Sequence, residues 1–379
     1  MIEQTKPNSG LEGVNATSSA ICYLDGTEGV LAYCGLNIHE LAKYATFEEV
    51  CFLLWTRRLP TRLELGDLKT DLGKGRVLTE PMRRMIRLLP PSDAMSSLRT
   101  LVSALSHFDH ESETVSSDAQ YRKAIKITAQ ISTVVAAYGR LLKGLSPVEP
   151  DPTLGHAANF LWMLNGERPS DVEAKAFDIA LILHADHELN ASTFAARVTA
   201  ATLSDLYSSV VSGIGALKGP LHGGANAEVM KMLEAIGEDA TDERVDSFIR
   251  DLLSKKVKIP GFGHRVYRTE DPRATHLRVM SREVGERTGR TRWFEISERI
   301  EKLMKEEKKI DANVDFYSAS TYALLGIETE LFTPIFAVSR IAGWTAHILE
   351  QYANNRLIRP RAEYIGPTYP QQFVQIGSR

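Results

Sequence analysis

Apolar residues recur every three to four positions over most of the chain. Between 121 and 143, Ala124, Ile127, Ile131, Val134, Tyr138 and Leu141 fall on one stripe, which predicts an amphipathic helix. Ser170 followed by Glu173 makes a capping-box pattern and predicts a helix running towards His184. Thr241 precedes another helix, with Val245, Phe248, Ile249, Leu252 and Leu253 at core spacing. Pro334 after Thr333 suits the start of a long helix through about Gln351, and Pro147, Pro150 and Pro152 punctuate a helix–helix link. Residues 20–35, AICYLDGTEGVLAYCG, break the helical spacing: two short apolar runs flank a DGTEG turn, the pattern of a β-hairpin. Strand and helix do not alternate and no repeat of fixed period appears. The predicted fold class is therefore mainly α, with one small N-terminal hairpin. The tail from Pro367 is polar and proline-containing, and is expected to need a partner surface to hold it.

At 379 residues the chain exceeds what one hydrophobic core usually serves, which predicts two domains. A net charge of −3 provides no overall basic field to gather nucleic acid. Cys22, Cys34 and Cys51 match no zinc spacing and leave one thiol over from any disulfide, as expected of buried thiols in a reducing cytosol. The opening MIEQTKPNSG has neither an apolar signal core nor an Arg-rich amphipathic pattern, and no uninterrupted apolar run approaches about 18 residues. A soluble, cytoplasmic protein is expected.

Four stretches carry chemistry that periodicity does not explain. In KGPLHGGANAEVMKM, residues 218–232, His222 is framed by glycines just before a helical pattern, with Asn226 read as its N-cap. The positive end of a helix disfavours imidazolium, so a neutral His222 able to donate one hydrogen bond is expected. A phosphate cradle is the weaker reading, because no Lys-Ser/Thr pair follows the glycines. In LHADHELNAST, residues 183–193, His184 and His187 are three apart and would share a helical face. They suit a metal site or a hydrogen-bonded pair near a helix end, although HEXXH and an obvious third ligand are missing. In KKVKIPGFGHRVYRTEDPRA, residues 255–274, His264 sits among Lys255, Lys256, Lys258, Arg265, Arg268 and Arg273. Such a cluster suits an anionic ligand, or simply a solvated basic loop. In NVDFYSASTYALLG, residues 313–326, Asp315 lies between Val314 and Phe316, where desolvation would raise its pKa towards that of a useful base; a helix cap is the plainer alternative.

Taken in order, HADHELNAST, GPLHGGAN, PGFGHRVYRTEDPR, NVDFYS, FTPIFAVSRIAGW and NNRLIRPRAEYIG resemble the citrate synthase family from near Ala20 to about Gly366. The length resembles the compact, dimeric prokaryotic form, and 2-methylcitrate synthase is a close relative. The resemblance implies a large helical domain (1–224 and 323–379), a small one (225–322), and an active site in the cleft between them. It implies an acyltransferase that condenses acetyl-CoA with oxaloacetate and water to give citrate and CoA, through an enolate and citryl-CoA. No metal or resident cofactor is implied.

On this resemblance Asp315 matches the general base on the acetyl methyl group and His222 the donor to the enolate oxygen. His264 matches the residue that polarises the oxaloacetate carbonyl and protonates the new alkoxide. His187, Arg273 and Arg340 match oxaloacetate contacts, and Arg359 a further clamp given across a homodimer. Lys258, Gly261, Phe262 and Gly263 resemble the loop that meets CoA, and Arg268 a CoA phosphate contact. The nearest alternative is a 2-methylcitrate synthase using propionyl-CoA. A non-catalytic helical metal-binding or scaffold protein built around HADH would leave three loops and several arginines unexplained.

Overall fold

Sixteen α-helices and one three-stranded antiparallel sheet make up the regular structure among the described residues, apart from short 3-10 turns. The computed structural model describes residues 9–11, 13–90 and 92–379. The predicted hairpin is present: β1 (Cys22–Asp25) pairs with β2 (Val30–Tyr33), Cys22 opposite Tyr33 and Asp25 opposite Val30. Asp25 Oδ1 accepts from the N–H groups of Thr27 and Glu28 at 2.9 and 3.0 Å, which closes the turn. A short β3 (Leu36–Asn37), absent from the sequence reading, extends the sheet and leads into a helix capped by Asn37. Tyr33 is buried and its hydroxyl reaches the carbonyl of Asp186 at 3.0 Å, so the hairpin stands on the HADH segment.

The predicted stripe at 121–143 lies within a longer helix, Ser117–Leu142, capped by Ser116. Burial there extends beyond the stripe to Gln120, Lys123, Thr128 and Gln130. Helices Arg62–Gly75, His156–Asn165 and Phe332–Ala353 all pack on it, so little of its circumference meets water. Lys123 is tolerated because Nζ donates to the Ser112 and Thr114 carbonyls at 2.9 and 2.8 Å. Each fully buried Ile or Val along this helix contributes about 1.5–3 kcal/mol over leaving it exposed.

The capping box at Ser170 and Glu173 forms as predicted and starts helix Asp171–His184. Thr241 caps helix Asp242–Ser254 by accepting from the Arg244 N–H. Helix Phe332–Ala353 carries Pro334 in its first turn, and the proline-rich link spans the gap between helices ending at Leu142 and starting at His156. Phe332–Ala353 is buried almost throughout and holds Arg340, Trp344 and His347 in the interior. The three cysteines are free thiols. Among the described residues no helix is long and apolar enough to cross a membrane. Tyr369, Phe373 and Ile376 stand exposed along the tail from Pro367, as do Tyr364 and Ile365 just before it.

Candidate active site

Helix Asp171–His184 stops at His184, so His184 and His187 do not share a helical face as their spacing predicted. His184 is buried, donates from Nδ1 to the Ala180 carbonyl at 2.8 Å, and packs edge-on to Phe336. Burial pulls its pKa down to about 3. His187 lies beyond the helix end and faces another way: its ring centroid is 5.3 Å from His264 and 5.6 Å from Tyr267. Its Nε2 is 3.2 Å from the Tyr267 hydroxyl. Burial first, then the Arg273 charge, hold His187 well below the usual histidine range. Among the described residues no group of three or more His, Cys, Asp or Glu side chains is arranged to hold a metal ion.

His222 follows helix Leu206–Leu217 and precedes helix Ala225–Ile236. Asn226 is not the cap of the second helix; it is buried inside the first turn, and Gly224 occupies the cap. The neutrality expected of His222 has a different cause: burial, then the Arg340 charge, pull its pKa down to about 4. Gly223 answers to packing rather than phosphate. A Cβ there would run into the Leu217 carbonyl and come within 2.9 Å of the Thr333 methyl, while the Thr333 hydroxyl donates to the Gly223 carbonyl at 3.0 Å. His222 Nε2 accepts from the Ser192 N–H at 3.3 Å and lies 2.7 Å from Ser192 Oγ. A backbone N–H can only donate, so Nε2 is the acceptor and the ring proton sits on Nδ1. Ser192 is held in turn by Trp344 Nε1–H at 3.1 Å and Asn190 Oδ1 at 2.7 Å.

His264 is fixed by its own loop. Its Nδ1 accepts from the N–H groups of Val266 and Tyr267 at 3.0 and 3.2 Å, which leaves the proton on Nε2. Burial, then Arg273, pull its pKa down to about 4. The preceding turn is stitched to the segment before helix Val314–Leu324. The Asn313 N–H donates to the Gly261 carbonyl at 2.9 Å and its side-chain amide to the Gly263 carbonyl at 2.8 Å, while Phe262 bridges Ala312. The hairpin supports the loop from the other side, the Arg268 N–H donating to the Gly26 carbonyl at 2.7 Å.

The basic cluster around His264 splits by depth. Lys258, Arg265 and Arg268 are exposed, whereas Arg273 is buried and bidentate on Asp271, at 2.9 Å from Nε and 2.8 Å from Nη2. Asp271 also accepts from the Val314 N–H at 3.1 Å, which ties Arg273 to the helix bearing Asp315. The helix cap is Asn313, whose side chain accepts from the Asp315 N–H at 3.0 Å. Asp315 is thus spared capping, and no donor among the described residues hydrogen-bonds its carboxylate. Burial lifts it to about 6, against the pull of Arg273 and Arg340.

Arg340 is buried on helix Phe332–Ala353. It donates from Nε to the His184 carbonyl at 2.7 Å and lies 4.7 Å over the Phe336 ring. Its charge acts on His222, His187 and Asp315, and that of Arg273 on His264, His187 and Asp315. Both guanidiniums bias His187 and Asp315, Arg340 also biases His222, and Arg273 also biases His264, which gathers four separated stretches around one site. Arg359 is exposed after the helix and makes none of these contacts. Ser192, Tyr267 and Asp271 are functional neighbours that no motif in the sequence singles out. Only Asp271 left a local signal, two residues before Arg273 in TEDPRA. The site offers a carboxylate raised towards neutrality, two neutral imidazoles presenting opposite N–H groups, and two buried guanidiniums. Such a set can take a proton from a weak carbon acid while donors meet developing oxyanions.

Comparison with known proteins agrees. The profile of the family described as citrate synthase, C-terminal domain, matches residues 10–361. Citrate synthase 2 of Bacillus subtilis (strain 168) is 54% identical over 372 residues, covering 98% of each chain. The crystal structure of citrate synthase from Pyrobaculum aerophilum is 41% identical with TM-score 0.89, over 98% of this chain and 95% of that one. A ternary complex of carboxymethyl coenzyme A and oxaloacetate with citrate synthase from Thermoplasma acidophilum has TM-score 0.90 at 32% identity, over 98% of both. A 2-methylcitrate synthase of Shewanella oneidensis is more distant, at 39% identity over 98% of both chains. The chain belongs to the citrate synthase family.

Proposed function

We propose that this chain condenses acetyl-CoA with oxaloacetate and water to give citrate and free CoA. The observation that carries this reading is the convergence of Asp315, raised to about 6, with two neutral histidines of opposite tautomer beside two buried arginines. Asp315 removes a proton from the acetyl methyl group, a weak acid that needs help from an oxyanion donor. His222 Nδ1–H donates to the enolate oxygen as charge builds there, and preorganised donors of this kind contribute about 3 kcal/mol each. The enolate carbon attacks the oxaloacetate carbonyl, which His264 Nε2–H polarises and then protonates. Water cleaves the resulting citryl thioester, releasing citrate and CoA.

His187, Arg273 and Arg340 hold oxaloacetate. Arg273 spends Nε and Nη2 on Asp271, which leaves Nη1 for a substrate carboxylate. Lys258, Gly261, Phe262, Gly263 and Arg268 meet CoA, which enters as a substrate and not as a resident cofactor. Residues 225–322 form a small domain that closes on the rest of the chain and excludes water. The working form is a cytoplasmic homodimer in which Arg359 crosses to the neighbouring site. The exposed aromatic and aliphatic residues of the tail support a second copy as their cover, and three free thiols fit a reducing compartment.

Thiol release measured with oxaloacetate plus acetyl-CoA or propionyl-CoA tests the reading. A higher kcat/KM for acetyl-CoA is expected. Preference for propionyl-CoA would reassign the chain to 2-methylcitrate synthesis, and no release with either would overturn condensation altogether.

A further inference from the structure

Beneath the turn that carries His187 lies a row of buried polar groups that none of the roles above uses. Asp186 is fully buried, and its carboxylate accepts from the Glu188 N–H at 3.2 Å. Glu188 has φ 53°, a left-handed conformation that a residue with a side chain holds only when its surroundings impose it. The same carboxylate meets Nε2 of the buried His347 at 3.2 and 3.4 Å. Arg197 Nη1 donates to His347 Nδ1 at 3.1 Å. Arginine cannot accept, so His347 carries its proton on Nε2, aimed at Asp186. Arg197 is anchored by the Gln351 amide oxygen at 3.1 Å and by Glu350 at 2.7 Å, and Glu350 accepts from the Ala20 N–H at 2.9 Å.

The turn is gripped from two more sides. The Gly343 N–H donates to the Ala185 carbonyl at 3.0 Å, and a Cβ on Gly343 would strike both that oxygen and Asp186 Oδ1. Tyr33 Oη accepts from the Asp186 N–H at 3.2 Å. Burial would raise the Asp186 carboxyl, but His347 and Arg340 bring it below the usual carboxylate range, so it stays ionised in the interior. Apolar side chains of equal volume would fill this space without desolvating a carboxylate. They would not hold Glu188 left-handed, nor fix one direction for the residue before it.

We propose that Asp186 and His347 are positioning residues: the chain Arg197–His347–Asp186 locks the 185–188 turn, and through it aims His187 and the His184 carbonyl that seats Arg340. The proposal rests on the oxaloacetate-binding role given above to His187 and Arg340. The test is a double-mutant cycle on the full-length protein, with KM for each substrate, kcat and Tm measured for every variant. His347→Ala is expected to raise KM for oxaloacetate about 10- to 100-fold, the cost of a small misplacement, with KM for acetyl-CoA within about threefold. His347→Gln, whose amide still donates towards Asp186, is expected to restore most of the loss. In a His187→Ala background, His347→Ala is expected to raise that KM by a smaller factor, because only the path through the His184 carbonyl and Arg340 remains.

A lowered Tm with unchanged kinetics, or an equal His347→Ala effect with and without His187, overturns the positioning role while leaving the reading of His187 intact. An unchanged KM for oxaloacetate in His187→Ala alone overturns that reading, and this proposal with it. Where His347→Ala does not fold, Asp186→Asn replaces it. That variant is expected to raise the same KM about fivefold or more through the lost charge–donor pairing, and no change would overturn the proposal.

Discussion

His222 and His264 are both neutral and both held near pKa 4, yet they present opposite ring nitrogens to the site. The difference lies in who fixes the tautomer. His264 Nδ1 is covered by the N–H groups of Val266 and Tyr267, two and three residues further along the same loop. His222 Nε2 is covered by Ser192, thirty residues earlier, itself seated by Trp344 from the long C-terminal helix. One tautomer is a property of local backbone and survives changes of side chain. The other is a property of packing between distant elements, in which the Ser192 N–H and hydroxyl both face Nε2. Under the proposed mechanism Nδ1–H of His222 serves the enolate and Nε2–H of His264 serves the ketone, so the same residue type does two jobs only because its surroundings differ.

The largest change removes the group that both histidines assist. Asp315→Asn is expected to lower kcat by about 10²–10⁴-fold while oxaloacetate still binds by calorimetry. Near-normal turnover would remove the base from the mechanism and leave the comparison of the two donors without a reaction. Because the desolvated carboxylate is relieved in this variant, its Tm is expected to hold or rise.

The next effect is a pH profile that separates the aspartate from the histidines. Asp315 must be unprotonated to accept a proton, and its value of about 6 predicts that kcat/KM falls as pH drops through that point, about tenfold per unit below it. His222 and His264 remain neutral until about 4, so the limb should report one ionisation. The stability contributions have opposite signs. Between about 4 and 6 the folded state holds the Asp315 proton more tightly than the unfolded chain, so that contribution falls as pH rises. The histidines bind fewer protons when folded between about 4 and 6.5, so theirs rises. Melting curves of Asp315→Asn from pH 4 to 7 should lack the falling component.

Smaller effects test the contrast itself. Ser192→Ala removes the hydroxyl beside His222 Nε2 and is expected to lower kcat about tenfold, equivalent to about 1.4 kcal/mol, with KM for oxaloacetate little changed. Val266→Ala leaves the backbone donor to His264 in place, and kcat is expected to stay within about twofold. A large loss from Val266→Ala, or none from Ser192→Ala, would reverse the assignment of local and remote control.

Features written over a few adjacent residues were legible in the chain. Ser170 and Glu173 made their capping box, Thr241 its cap, and the DGTEG turn its hairpin, because each is closed by bonds between near neighbours. Asn226 misled because a good capping residue type stood two places too late, and tight packing at Gly223 set where the helix begins. His184 and His187 misled because nothing in LHADHE marks the helix end. That end is imposed by Tyr33, Gly343 and Arg340, from strand β2 and the C-terminal helix.

By itself the sequence determined the helical class, the position of the hairpin, the helix starts at Ser170 and Thr241, and the resemblance that names the candidate chemistry. All of these depend on residue type and short spacing, which act before the chain has folded. Tertiary structure alone decided that Asp315 is desolvated, that Ser192 sets the His222 tautomer opposite to that of His264, and that Arg273 and Arg340 bias Asp315 while Arg340 biases His222. Burial and Coulombic fields act through space, so their partners lie tens to hundreds of residues apart and leave no mark in local sequence.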